Sequence, residues 1–321
     1  MSSRLSHRAA CLVLAVMAAV GVHLVWYLFV NTPTGQAIDR AAFEGALIQQ
    51  TRLWQIGRPV LDVVSTTLVG LSAVAAVLIA MLRRRAWLAI QALIVVVGAN
   101  ATTQLVKDLY ARPRLLPVWT GQNSLPSGHT TVVAAASVAM LLTVPRRWRP
   151  VVAVVGAIWT VLTGLSTLVG RWHRPADVVA ALLVVCFWGA IACSVGSHRS
   201  LDSPSRIWPT TIKVTSIALG GLALVSTVFA IAALTRLYSM LSTAGSADNL
   251  ITDLLESGEL TAYIGGVAAV VASIFGVFSV LLWLRQTTLT ADNLPLVGYG
   301  ASLAPETTPQ ITMPEPSSNE A

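Results

Sequence analysis

The sequence predicts an all-α fold, a polytopic helical bundle in a membrane, and three observations carry that prediction. Of 321 residues, 55% are hydrophobic and only 11% charged, against about 25% charged in a soluble domain. Eight apolar stretches approach or exceed the roughly 20 residues that a helical span needs. The charges fall in short clusters between those stretches, which is the pattern of membrane loops. A net charge of +7 would suit nucleic acid if it were gathered on one water-facing surface. Spread over loops in this way, it points to the bilayer and to no nucleic-acid partner.

The predicted spans run roughly Ala9–Val30, Val60–Leu82, Trp87–Val106, Thr130–Val144, Val151–Val169, Val178–Ser197, Val214–Leu234 and Thr261–Leu284. The first follows Arg4 and Arg8, but its apolar part exceeds the roughly 7–15 residues of a signal-peptide core. A permanent helix is expected there, with His23 inside it as a packed, hydrogen-bonded histidine. The fourth stretch is short and is expected to reach back to Pro126. Ile38, Ala42, Phe43, Leu47 and Trp54 recur at helical spacing within residues 31–58 and predict an interfacial helix. Residues 235–260 form a second loop on the same side, with Asp248, Asp253, Glu256 and Glu259. After Arg285 the chain is rich in Pro, Thr and Ser without a basic residue, the composition of a disordered tail. The organisation is thus a membrane-embedded core over 1–200 with polar loops near 107–129 and 166–177. Two additional spans with their loop fill 201–285, and a disordered cytoplasmic tail fills 286–321. The three cysteines, Cys11, Cys186 and Cys193, lie within apolar runs at no metal-type spacing and read as small packing residues.

Orientation follows from lysine and arginine in the loops. Twelve of the 21 lie on one side and nine on the other. Five of those nine cluster in the two polar loops. Setting that cluster aside, the bias puts both termini in the cytoplasm and the polar loops outside, in a plasma membrane of bacterial type.

Three elements in those loops can do chemistry. Lys107 stands at the membrane edge of the third span, with Arg112 and Arg114 close behind. Pro126-Ser127-Gly128-His129 precedes the fourth span. Proline suits a helix start, Ser127 can cap it, and Gly128 allows close approach to the backbone. The unpaired N–H groups of a first helical turn attract anions, and His129 would stand beside one. The third element is His173-Arg174-Pro175-Ala176-Asp177, in which a carboxylate four residues on can fix the imidazole tautomer and raise its nucleophilicity. Taken singly, these are snorkelling cations, a capped helix start and a loop histidine. The alternation of spans brings all three to one membrane face. Together they are what phosphoryl transfer requires: cations and N–H donors for the equatorial oxygens, a nucleophile, and an acid for the leaving oxygen.

These residues resemble the type-2 phosphatidic acid phosphatase superfamily of membrane lipid phosphatases. Lys107 and Arg114 have the spacing of its first motif, with Leu115 in place of a proline. Pro126-Ser127-Gly128-His129 matches the second motif in full. Ser166, His173 and Asp177 match the third. The resemblance covers about residues 60–197. It implies that His173 attacks phosphorus, that Asp177 orients it, and that His129 protonates the leaving oxygen. It further implies that Lys107, Arg114, Ser127 and the Gly128 amide hold the phosphate, with no metal and no cofactor. The arginine of the third motif falls on Thr167. Arg171, one helical turn further on if the helix continues, is the expected replacement, with Arg112 and Arg174 as competitors.

The implied function is an integral-membrane phosphatase acting on a lipid phosphate or pyrophosphate through a phosphohistidine. The substrate classes are a polyprenyl pyrophosphate, phosphatidic acid or phosphatidylglycerol phosphate. The alternatives are a lipid-linked phosphotransferase on the same fold, or a non-catalytic lipid transporter or binding protein, which the changes at Thr167 and Leu115 would suit.

Overall fold

The computed structural model describes residues 2–46, 86–116, 122–195, 210–243 and 258–292, with isolated positions 74, 78, 81 and 82. Among these residues the protein is all-helical. In chain order the helices are α1 (Ser2–Val30), α2 (Pro33–Gly45), α3 (Ala86–Leu109), α4 (Gly128–Thr143), α5 (Arg149–Val169), α6 (Pro175–Ser194), α7 (Thr210–Thr243) and α8 (Glu259–Asp292). Six of them, all but α2 and α4, are long and apolar enough to cross a membrane. With the shorter apolar α4 they account for seven of the eight predicted spans. The predicted span Val60–Leu82 lies almost wholly outside the described residues, as do Leu47, Trp54, the acids at 248, 253 and 256, and the tail beyond 292. α8 itself continues to Asp292, eight residues past the predicted end at Leu284 and into the predicted disordered tail.

α6 is the most deeply set span. Its residues Val178, Leu182, Val185, Cys186, Ala192 and Cys193 all join the main core. α1, α3, α4 and α8 pack around it. Small residues let the helices close up, as is usual where lipid gives no hydrophobic drive between them. A Cβ at Gly189 would stand 2.7 Å from Leu281 of α8, and one at Gly266 of α8 would stand 2.4 Å from Pro175 at the start of α6. The three cysteines are buried and unbridged. His23 bonds the Tyr110 hydroxyl at 3.1 Å beside Trp26, which is the packing role expected of it.

α2 forms where the 31–58 segment predicts a helix, but its apolar face meets protein. Thr32 caps it, accepting from the Gly35 N–H, and Pro33 sits in its first turn. Ile38 and Ala42 are buried with Leu116, Leu237, Leu241 and Ala262. The same apolar spacing that would float a helix on lipid here packs it over the ends of α7 and α8. Buried Gln36 donates to the Val30 and Pro113 carbonyls at 2.7 and 2.8 Å, fastening α2 to α1 and to the loop after α3.

The ends of α1, α3 and α5 and the starts of α4 and α6 meet at one end of the bundle, and α2 lies across it. At the opposite end Gln91 of α3 bonds the Ala192 carbonyl. Arg285 of α8 bonds the Leu142 carbonyl at 3.0 Å. Arg149 and Arg285, counted above as loop cations, are buried there at 1% and 2% exposure.

Candidate active site

The loop between α3 and α4 reaches the site through a fixed path. Asn123 donates to the Tyr110 carbonyl at 2.7 Å, and Leu125 is fully buried ahead of a cis Leu125–Pro126 bond. Ser127 then caps α4, accepting from the Thr130 N–H at 3.4 Å and donating to the Thr130 hydroxyl. Its hydroxyl therefore serves the helix start itself. Gly128 is open on one side: a Cβ there would meet only the Lys107 amine, 3.8 Å away. A lysine ammonium is thus held over the first turn of a helix, where backbone N–H groups and the dipole already favour an anion.

The His173 segment is shaped by the end of α5. Thr167 is fully buried, and its hydroxyl donates to the Gly164 carbonyl at 2.7 Å. Its own carbonyl accepts the Trp172 and His173 N–H groups at 3.0 and 3.3 Å. The helix stops at Val169, and Arg171 adopts a left-handed backbone, φ 56°, which is uncommon outside glycine. The chain therefore turns back on itself, and His173 emerges at the mouth of α6.

There His173 Nδ1 lies 3.3 Å from Asp177 Oδ2. The same carboxylate oxygen accepts the Arg174 N–H at 3.0 Å and the Ser124 hydroxyl at 2.7 Å. Asp177 is fully buried, so its rotamer is set from three sides. With Nδ1 turned to the carboxylate, Nε2 is the nitrogen left for chemistry. The His129 and His173 rings meet edge-on, centroids 6.0 Å apart, and the Trp172 ring lies 5.3 Å from His129. His129 stands in the loop-side turn ahead of the apolar run. Partial desolvation, then the neighbouring His173 and Lys107, hold its imidazole below the ordinary value of 6.5. The two halves of the site are tied directly: the Ser127 N–H donates to the Asp177 carbonyl at 2.9 Å.

Of the residues singled out from sequence, Lys107, Ser127, Gly128, His129, His173 and Asp177 come together. Arg114 is exposed on the loop after α3. Arg171 goes elsewhere. The expected helical turn linking it to Thr167 does not exist, because α5 has already ended. Its guanidinium pairs with Glu44 of α2 and lies 4.5 Å over the Phe43 ring. Arg174 is the guanidinium tied to the dyad, through Ser124 Oγ at 3.3 Å.

Three residues escaped the sequence reading. Ser124 lies outside any motif. Glu44 and Asp39 sit on α2, far from the motifs in sequence. Asp39 accepts the Ala176 N–H at 3.4 Å, and its Oδ2 lies 3.5 Å from Arg112 and 3.9 Å from Arg174. Burial outweighs both cations and pushes its carboxyl up to about 6. The sole signal available was an acid on the face of α2 that also carries apolar residues.

One end of this helical bundle thus gathers two histidines, a buried aspartate and a lysine over a helix start. Residues 87–200 match the family model of the PAP2 superfamily, and with the long apolar helices this is consistent with a membrane protein of that superfamily. The match contains all three motifs and α3 to α6, while α1, α2, α7 and α8 lie outside it. No curated protein and no solved structure matches the chain.

Proposed function

We propose that the protein hydrolyses a lipid phosphate or pyrophosphate at the outer face of the membrane through a phosphohistidine intermediate on His173. The observation that supports this best is the facing pair: His173 with Nδ1 against Asp177, and His129 beyond it at 6.0 Å between centroids. That gap lies beside Lys107 and an open helix start.

In this reading His173 Nε2 attacks phosphorus while the bond from phosphorus to the lipid oxygen breaks. The lipid oxygen takes a proton from His129. Asp177 accepts the Nδ1 hydrogen bond and stabilises the positive charge that develops on the ring. His129, now neutral, takes a proton from water as that water attacks phosphorus and the P–N bond breaks, restoring both histidines. Lys107 and the first-turn N–H groups of α4 hold the equatorial oxygens. Arg174 takes the part that the family's third-motif arginine would play, and Thr167 is committed to the fold. Polyprenyl pyrophosphate, phosphatidic acid and phosphatidylglycerol phosphate are the substrate classes to assay.

The test is phosphate release from these lipids by purified protein in EDTA, wild type against His173→Ala. Release that survives EDTA and is lost in the variant is expected. Folded wild-type protein that releases phosphate from none of them would overturn the hydrolase reading. Transfer of phosphate to an added alcohol, without free phosphate, would make the protein a phosphotransferase.

A further inference from the structure

Beside the start of α6, on the side of α2, α7 and α8, the structure holds an apolar cavity of about 290 Å³. Val25 and Phe29 of α1 form one wall. Ala230, Ile231, Ala233 and Leu234 of α7 form another, and Gly265, Gly266, Ala269 and Ala272 of α8 form the third. The space exists because the α7 and α8 walls are mostly small side chains. α7 presents nearly all the rest of its surface outward, with Leu224, Val228 and Phe229 exposed. The cavity thus lies against a helix that is exposed along most of its length, and its own wall residues Ile231 and Leu234 are exposed as well.

Two features say what would fill it. The first is position. Pro175 and Ala176 line the cavity, and they lie between His173 and Asp177 in the chain. The second is its single charged corner. Asp39 lines the cavity at 2% exposure, and its Oδ2 lacks a hydrogen bond. It faces Arg112 and Arg174 at ion-pair distance. The cavity is therefore apolar along its length and charged where it touches the catalytic segment. The apolar length suits a hydrocarbon chain, and the carboxylate at its corner would keep a phosphate head out of the cavity, on the side of Arg174 and the histidines.

We infer that this cavity binds the hydrocarbon chain of the lipid phosphate whose head group occupies the His129–His173 site, and that α7 and α8 serve to build it. The inference rests on the phosphatase reading for the head group, but the cavity can be probed without turnover. Such sites are lined by apolar side chains with few polar groups that fix orientation, and binding energy gathered remotely from the reacting atoms can support the chemical step.

The experiment uses full-length protein in detergent and a hexadecyl phosphate carrying a photoreactive group at its tail. Crosslinks are expected within 227–237 or 262–273. They should be competed by unlabelled hexadecyl phosphate and reduced about tenfold in Ala269→Phe, which fills the cavity; Ala230→Phe repeats the test from the opposite wall. In turnover, filling the cavity should raise KM for hexadecyl phosphate about tenfold while butyl phosphate hydrolysis stays within about twofold, the signature of lost substrate binding. Labelling elsewhere, equal loss on both substrates, or competition by hexadecanol as strong as by hexadecyl phosphate would overturn the inference. The last result would mean that bulk lipid occupies the space. If wild type hydrolyses neither phosphate while the tail still labels the cavity, the hydrolase reading fails and the cavity assignment stands.

Discussion

His129 is the residue whose protonation the proposed chemistry depends on most. As the acid it must carry a proton, and its surroundings hold its value below 6.5. A group with a lowered value loses its proton earlier as pH rises. kcat/KM, which reports the free enzyme, should therefore fall with rising pH through a midpoint below 6.5. A pH profile checks this, and a fall centred above 7 would remove His129 from the acid role. His129→Ala should lower kcat by about 10²–10⁴. Arg171 and Arg174 give the second prediction at this scale. Arg171 is paired with Glu44 and Arg174 is tied to the dyad through Ser124. Arg174→Ala should lose most activity, whereas Arg171→Ala should keep it within a few-fold. A double-mutant cycle with Glu44→Ala, read by thermal unfolding, should show Arg171 coupled to Glu44 by about 0.2–1 kcal/mol, the range of a partly exposed pair. The site motifs were legible because proline, serine, glycine and histidine at a helix start carry their physics locally. The placement of Arg171 was not legible, because α5 ends before it in a local turn, with the Trp172 and His173 N–H groups drawn back to the Thr167 carbonyl, and no glycine at 171 announces the left-handed residue.

At the scale of elements, α2 is the part that the sequence shows least well. Its helical period is plain, but a period gives a face and not the thing that covers it. Ile38 and Ala42 would suit lipid as well as they suit Leu237 and Ala262. Asp39 and Glu44 likewise look like the polar edge of a surface helix, and only the fold reveals that they meet Arg112, Arg174 and Arg171. Asp39 is the test of that role. Its side chain and that of Arg112 are each 1% exposed. Removing the carboxylate in Asp39→Ala leaves buried guanidinium charge with less compensation, a loss of the kind that costs about 3–5 kcal/mol. Detergent-solubilised Asp39→Ala should unfold well below wild type, and little change would show that water, not Asp39, carries that charge.

The whole molecule was the most legible level. Lipid as solvent imposes long apolar runs, and those runs survive as α1, α3, α5, α6, α7 and α8 almost where periodicity and length place them. Which end faces the cytoplasm is a separate matter, set by charge bias. Arg147 and Trp172 are exposed at opposite ends of α5, and the native cysteines are all buried, so introduced thiols can be labelled against a quiet background. In intact cells Trp172→Cys should react with an impermeant maleimide, and Arg147→Cys should react only after permeabilisation. The reverse pattern would place the site in the cytoplasm.

The hydrogen bond from the Ser127 N–H to the Asp177 carbonyl joins backbone to backbone. Side-chain replacement at either position cannot delete it, unless proline is placed at 127 and removes the donor. The alignment of the α4 start with the His173–Asp177 segment therefore does not depend on the side chains at these two positions. Side chains in the loops and in the apolar cavity can be exchanged while the two halves of the site keep their registration. If the proposed activity holds, a protein of this construction can change the lipid it acts on without first losing the ability to act.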